Sequence, residues 1–254
     1  MTLNELLSRT SLKAIGRRID RHQTEFLLPS MEMVEVCRAD DFDFFQPFID
    51  AGKLTVEQMH HAAARYHLGK TRSGLPMFWM IDDTLDPLDA HIGNDTWLFP
   101  LLKKREPLLE DWPIYHCLFG LHLLKAEVGC KRDDVGGRKA GGNSSVCIVE
   151  SERSAVVLSE LFPESLWMAY ATEPHLQMDL FQPLEGRTVT IYPRTDPYMS
   201  NYLFFDELAA SVRRQYPSIN ISVSPILEDN ATDDQKSRCI DLLDFIFKSL
   251  TEMF

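Results

Sequence analysis

This chain has no C-x-x-C pair, no long apolar run and no excess of positive charge. Its five cysteines, Cys37, Cys117, Cys130, Cys147 and Cys239, are odd in number and scattered over 254 residues. That pattern argues against a disulfide scaffold and a zinc ribbon, so free thiols and no zinc are expected. No apolar stretch of about 18 residues occurs, and no helical membrane span is expected. The opening MTLNELLSRTSLKAIGRRIDRH lacks an apolar core followed by small residues. A cytoplasmic location is the default expectation. The net charge of -12 works against broad phosphate neutralisation and leaves nucleic-acid binding to a local basic groove. Three basic clusters exist: Lys13, Arg17, Arg18 and Arg21; Lys103-Lys104-Arg105; and Lys131-Arg132 through Arg138-Lys139. Each reads first as solvated surface. H-E-x-x-H and G-x-S-x-G are missing, and GRKAGGNS departs from a phosphate-binding loop because Asn143 stands at the lysine position. His60, His61 and His67 are expected on one helix without Cys or carboxylate partners at metal spacing, and read as helix-surface or packed histidines.

What is present is ordinary for a globular protein: 44% hydrophobic and 25% charged residues, enough chain to bury a core without covalent staples. Residues 1–26 form a basic amphipathic stretch, with Leu3, Leu6, Leu7, Leu12, Ile15 and Ile19 as its stripe. Residues 27–126 read as a mainly helical α+β region. LTVEQMHHAAARYHLG predicts a helix capped by Thr55 with Gln58 three residues on, ended by Gly69. PMFWMID predicts a strand leading into an acidic loop of Asp82, Asp83, Asp86 and Asp89. Phe42, Phe44, Phe45, Phe48, Phe78 and Trp79 offer either stacking surface or core, and core is the preferred assignment. Residues 127–145 hold five of the twelve glycines without apolar periodicity and read as a flexible connection.

From residue 146 to 254 strands alternate with helices. Val146–Val149, Ser165–Ala171, Arg187–Pro193 and NISVSPI are the strand segments. The helices carry Ala155, Leu158 and Leu161, then Leu208, Val212 and Tyr216, then Cys239, Leu243, Ile246 and Leu250 as apolar stripes. Such alternation predicts an α/β domain with a mostly parallel four-stranded sheet flanked by helices. Working residues in such sheets sit just past the carboxyl ends of strands. That places Glu150 and Asp196 as candidates. Asp241 and Asp244 add an acidic pair on the last helix. Glu150, Asp196 and one of that pair are the residue types that gather magnesium, a hard cation preferring oxygen. Ser151 reads as the N-cap of the helix after the first strand, and Arg153 as surface. The N-terminus of that helix is also a site for anions.

At these residues the chain resembles a known family. CIVESERSAVV is similar to a motif of an uncharacterised Toprim-like family of primase-like proteins from bacterial mobile elements, conjugative transposons and phages. ARYHLGKT, PMFWMID, HCLFGLHLLK, LEGRTVTIYPRTDP and ILEDNATDDQKSRCIDLLDFI follow in the family's order, so the likeness spans roughly residues 27 to 248. The resemblance implies a Toprim fold, with Glu150 as the acid-base or metal-organising glutamate. By position Asp196 resembles the second aspartate of the metal pair, and Asp241 or Asp244 the later acidic position. Arg194 stands where the first aspartate belongs, which reverses the local charge and repels a divalent cation. Three functions follow. One is a degenerate domain that binds nucleic acid or a replication partner, with Arg194, Arg153 and Ser151 at phosphate. The second is a magnesium-dependent, primase-like or nuclease-like phosphodiester enzyme. The third is an accessory interaction module of a mobile element that never touches nucleic acid. Arg194 and the net charge of -12 count against the second, and the first is the preferred reading.

Overall fold

The computed structural model describes residues 28–94, 96–111, 113–125, 145–171 and 177–252. The expected N-terminal amphipathic helix and nearly all of the Gly-rich connection lie outside these residues. The chain enters through α1 (Met31–Cys37), whose N-cap Ser30 accepts a hydrogen bond from the Met33 amide. A short α2 (Gln46–Asp50) precedes α3 (Val56–Arg65), where Thr55 and Gln58 form the expected capping box. The α3 helix ends at Tyr66, before the sequence pattern suggests. His67, at φ +52°, makes the left-handed turn, and Gly69 instead starts β1 (Gly69–Lys70). A β-carbon at Gly69 would meet the Cys37 carbonyl at 2.9 Å, so only glycine fits there.

β2 (Pro76–Ile81), β3 (Pro87–Ile92) and β4 (Thr96–Trp97) complete an antiparallel sheet in the order β1-β2-β3-β4. Side chains alternate across it. Met77, Trp79 and Ile81 pack on one face with Phe99 and Leu102 of α4 (Leu98–Arg105). Phe78 and Met80 face the other way, into the main core. The acidic stretch expected to be a loop therefore contains a strand, β3, and Asp89 within it is fully buried.

The second sheet is parallel, in the order β6-β5-β7-β8, from β5 (Val146–Val149), β6 (Leu166–Ala169), β7 (Thr188–Ile191) and β8 (Asn220–Val223). β5 and β6 are buried along their whole length, as expected for strands covered on both faces. The helices are α5 (Glu152–Leu161), α6 (Ser200–Gln215), α7 (Ile226–Asn230), α8 (Asp233–Ser237) and α9 (Leu242–Glu252). α5 links β5 to β6, and α6 links β7 to β8. Crossovers leaving in opposite directions from β5 and β7 put a topological switch point between those two strands.

Sequence pattern runs one helix from Thr232 to Leu250, whereas the chain breaks between α8 and α9. Cys239 sits at φ +51° in that break and is exposed, so it is not part of a buried stripe. One core joins the two sheets: Phe42, Phe45, Phe48 and Phe78 cluster with Ile148, Val157, Met168 and Phe205. The aromatic-rich N-terminal residues are thus core, apart from half-buried Phe44 packed against it. Tyr66 donates a buried hydrogen bond to the Trp167 carbonyl at 2.8 Å, and Phe119 pairs with Ala169, extending the contact to the edge of β6. Among the described residues no helix is long and apolar enough to cross a membrane.

Candidate functional site

The switch point between β5 and β7 opens into a cleft of about 320 Å3. Glu150 follows β5 directly, and Ser151, Glu152 and Arg153 continue into α5. Arg194 comes from the turn after β7. His91, Gly93 and Asn94 of the β3–β4 hairpin form one wall; Cys239, Asp241 and Asp244 around the start of α9 form another. The structure therefore brings together six of the seven residues singled out from sequence: Glu150, Ser151, Arg153, Arg194, Asp241 and Asp244.

The seventh, Asp196, does not line this cleft. Its Oδ1 accepts the Tyr198 amide and its Oδ2 the Asn201 amide, both at 2.9 Å. Burial disfavours the charged carboxylate, but the amides of Asn201, Tyr198 and Ser200 outweigh it and hold the carboxyl below its ordinary pKa. Asp196 fastens the turn into α6.

Inside the cleft most charges have partners. Arg194 Nε lies 3.2 Å from Glu150 Oε2, an ion pair without hydrogen-bond alignment at that nitrogen. Arg153 donates to Asn94 Oδ1 at 2.9 Å. Asp241 precedes α9 as its cap: Oδ1 accepts the Asp244 amide at 2.9 Å, and Oδ2 accepts the Ser154 hydroxyl. Asp241 and Asp244 thus serve as cap and first turn of a short helix, not as two positions on the exposed face of a long one. Burial first, and the Asp241 charge second, push the Asp244 carboxyl above its ordinary pKa. Ser151 occupies the N-cap position of α5, yet its side chain makes no cap hydrogen bond. The first-turn amides of α5 therefore lack the side-chain partner expected from sequence.

Two neighbours escape sequence reasoning altogether. His91 and Glu152 are both buried, 6% and 5% exposed, with Nδ1 and Oε1 2.7 Å apart. The other ring nitrogen faces the Asn94 carbonyl at 3.0 Å, and the ring stacks on Trp97. His91 lies 61 residues from Glu152, and no local pattern couples them. The available signal is weaker: PLDAHI is strand-like only if Asp89 and His91 have buried partners.

Among the described residues, no group of three or more His, Cys, Asp and Glu side chains is arranged to hold a metal ion.

Residues 44–195 match a family described as a domain of unknown function, DUF6371. The chain belongs to that family. The matched span carries Glu150 and Arg194 but ends before Asp196, Asp241 and Asp244. No curated protein matches the chain. Among solved structures, the E. coli primase catalytic core is similar at 13% identity and a TM-score of 0.46, over 91% of this chain and 84% of that one.

Proposed function

We propose that the cleft is a degenerate Toprim-like site that binds the phosphodiester backbone of nucleic acid without a resident magnesium ion. The observation that carries this is the Arg194–Glu150 ion pair at the switch point. A guanidinium there supplies fixed positive charge in place of a cation. Arg153 and the first-turn amides of α5, which Ser151 leaves without a side-chain cap, add donors suited to phosphate. The oxygen donors fit magnesium poorly. Glu150 is engaged by Arg194, Asp196 by two amides, and Asp241 by Ser154 and the Asp244 amide. The ordered motif resemblance supports a primase-like setting, with mobile-element replication proteins as the partner class.

A second reading has its own observation. Glu150, Asp241 and Asp244 line one cleft, and carboxylates so gathered are the raw material of magnesium-assisted phosphoryl transfer. There Glu150 would act in acid-base chemistry. Nicking and primer-synthesis assays with magnesium or manganese separate the two. The proposal expects no turnover, together with oligonucleotide binding at low salt that Arg194→Ala weakens. A metal-dependent activity that Glu150→Gln abolishes would establish the second reading instead. Failure to bind single- or double-stranded DNA or RNA at low salt would remove both.

A further inference from the structure

The aromatic side chains that sequence offered as stacking surfaces are core, and the structure leaves a different set outside. Tyr198 is 83% exposed, the most exposed of the large hydrophobic side chains described, and Leu203 and Phe204, a few residues on, are 55% and 44% exposed. All three belong to the turn and first helical turns after Arg194. This turn is held in place from several sides. Asp196 takes the amides of Tyr198 and Asn201. The buried Thr195 donates its amide to the Ile240 carbonyl and its hydroxyl to Glu228. Met199 adopts φ +56°, a left-handed conformation that a non-glycine side chain enters at a cost. A turn so anchored, and strained at its tip, displays Tyr198 in a fixed place.

Resting on the nucleic-acid reading above, we infer that the occupant of this turn is a single strand, with a base stacked on Tyr198 and its backbone held by Arg194. Tyr198 is four positions on from Arg194, so at most about 14 Å of chain lies between them. An aromatic face takes any unpaired base, whereas a duplex keeps its bases stacked and out of reach. Leu203 and Phe204 extend the apolar platform for the neighbouring base. A guanidinium and an exposed ring within one short turn are the residue types that single-strand grooves combine, and they favour unpaired nucleic acid over an apolar protein surface.

The test uses the full chain and two fluorescein-labelled probes of equal length, an oligothymidylate and an abasic strand with the same phosphates. Wild type should bind oligothymidylate about ten-fold more tightly than the abasic strand. Tyr198→Ala should erase that preference, Tyr198→Phe should keep it, and Arg194→Ala should weaken both probes alike. If Arg194→Ala weakens binding but Tyr198→Ala matches wild type, stacking is wrong and the phosphate reading stands. If wild type binds neither probe, the underlying reading fails and the inference goes with it. Sedimentation of the same proteins provides the remaining outcome: a dimer that Tyr198→Ala converts to monomer would assign the turn to self-association and overturn the proposal.

Discussion

Arg194 reaches across the carboxyl ends of β7 and β5 to place its Nε 3.2 Å from Glu150 Oε2. Two strands that are neighbours in the sheet, but not in sequence, thus deliver opposite charges to one point. The pair is partly open to water, with side chains 41% and 22% exposed, so its contribution to stability is small, about 0–1 kcal/mol. Its consequence is electrostatic: the glutamate is neutralised from within the chain.

Reversing that charge should therefore favour a cation at the switch point. Arg194→Asp would leave two carboxylates facing each other at the switch point, close to Asp241 and Asp244. Calorimetry should show magnesium binding by the variant well above that of wild type, and thermal stability should rise with added magnesium. Indifference of Arg194→Asp to magnesium would mean that Glu150 does not face a cation-sized space.

The His91–Glu152 pair is the buried counterpart. With both groups almost inaccessible, removing one partner strands the other. His91→Ala should cost about 3–5 kcal/mol in urea unfolding. Joint replacement by apolar residues of similar size, His91→Phe with Glu152→Leu, should recover much of that loss. A double-variant loss equal to the sum of the two single losses would show that the two residues do not depend on each other. The same pair closes the cleft wall by holding the β3–β4 hairpin against α5, so oligonucleotide affinity should fall with His91→Ala.

Asp89 predicts a pH effect. Burial raises its carboxyl from 3.8 to about 6, against hydrogen bonds from the Phe99 and Ala90 amides. The folded state then holds the proton more tightly than the unfolded state, so stability declines as pH rises from about 4 to 6. A shift of about two units corresponds to roughly 3 kcal/mol across that window. Asp89→Asn keeps an oxygen for the two amides and removes the titration. The stability difference, variant minus wild type, should grow between pH 4 and pH 6 and then level off. A flat difference would contradict a raised carboxyl.

Asp196 should behave as a structural residue. Asp196→Ala removes the acceptor for two amides at the start of α6 and should cost about 1–2 kcal/mol, as lost helix caps do. Asp196→Asn should cost less, because one oxygen remains. Magnesium titrations should not distinguish either variant from wild type, whereas a metal ligand would give the reverse pattern.

The parallel sheet was legible because its strands are short apolar runs alternating with helices, a pattern set by local sequence. Glu150 was legible for the same reason, being the first charge after Val149. The rest depended on contacts that sequence order hides. Strand β3 contains Asp89 and His91, whose burial depends on the Phe99 amide and on Glu152. The break between α8 and α9 turns on Cys239 at positive φ, where no glycine announces it. Asp241 became a cap only because that break exists. Ser151 sits at the N-cap position, as propensity suggests, but its hydroxyl does not cap. Asp196 looked like a ligand from its place after a strand, and two amides of its own turn had already claimed it.

The most direct test of the central claim is the affinity of the full chain for a short single-stranded oligonucleotide at low salt, measured in excess EDTA and again in millimolar magnesium. A cleft charged by Arg194 predicts binding that survives EDTA and weakens when Arg194→Ala is introduced. Binding that vanishes in EDTA and returns with magnesium would contradict it, and would make Glu150 part of a working metal site.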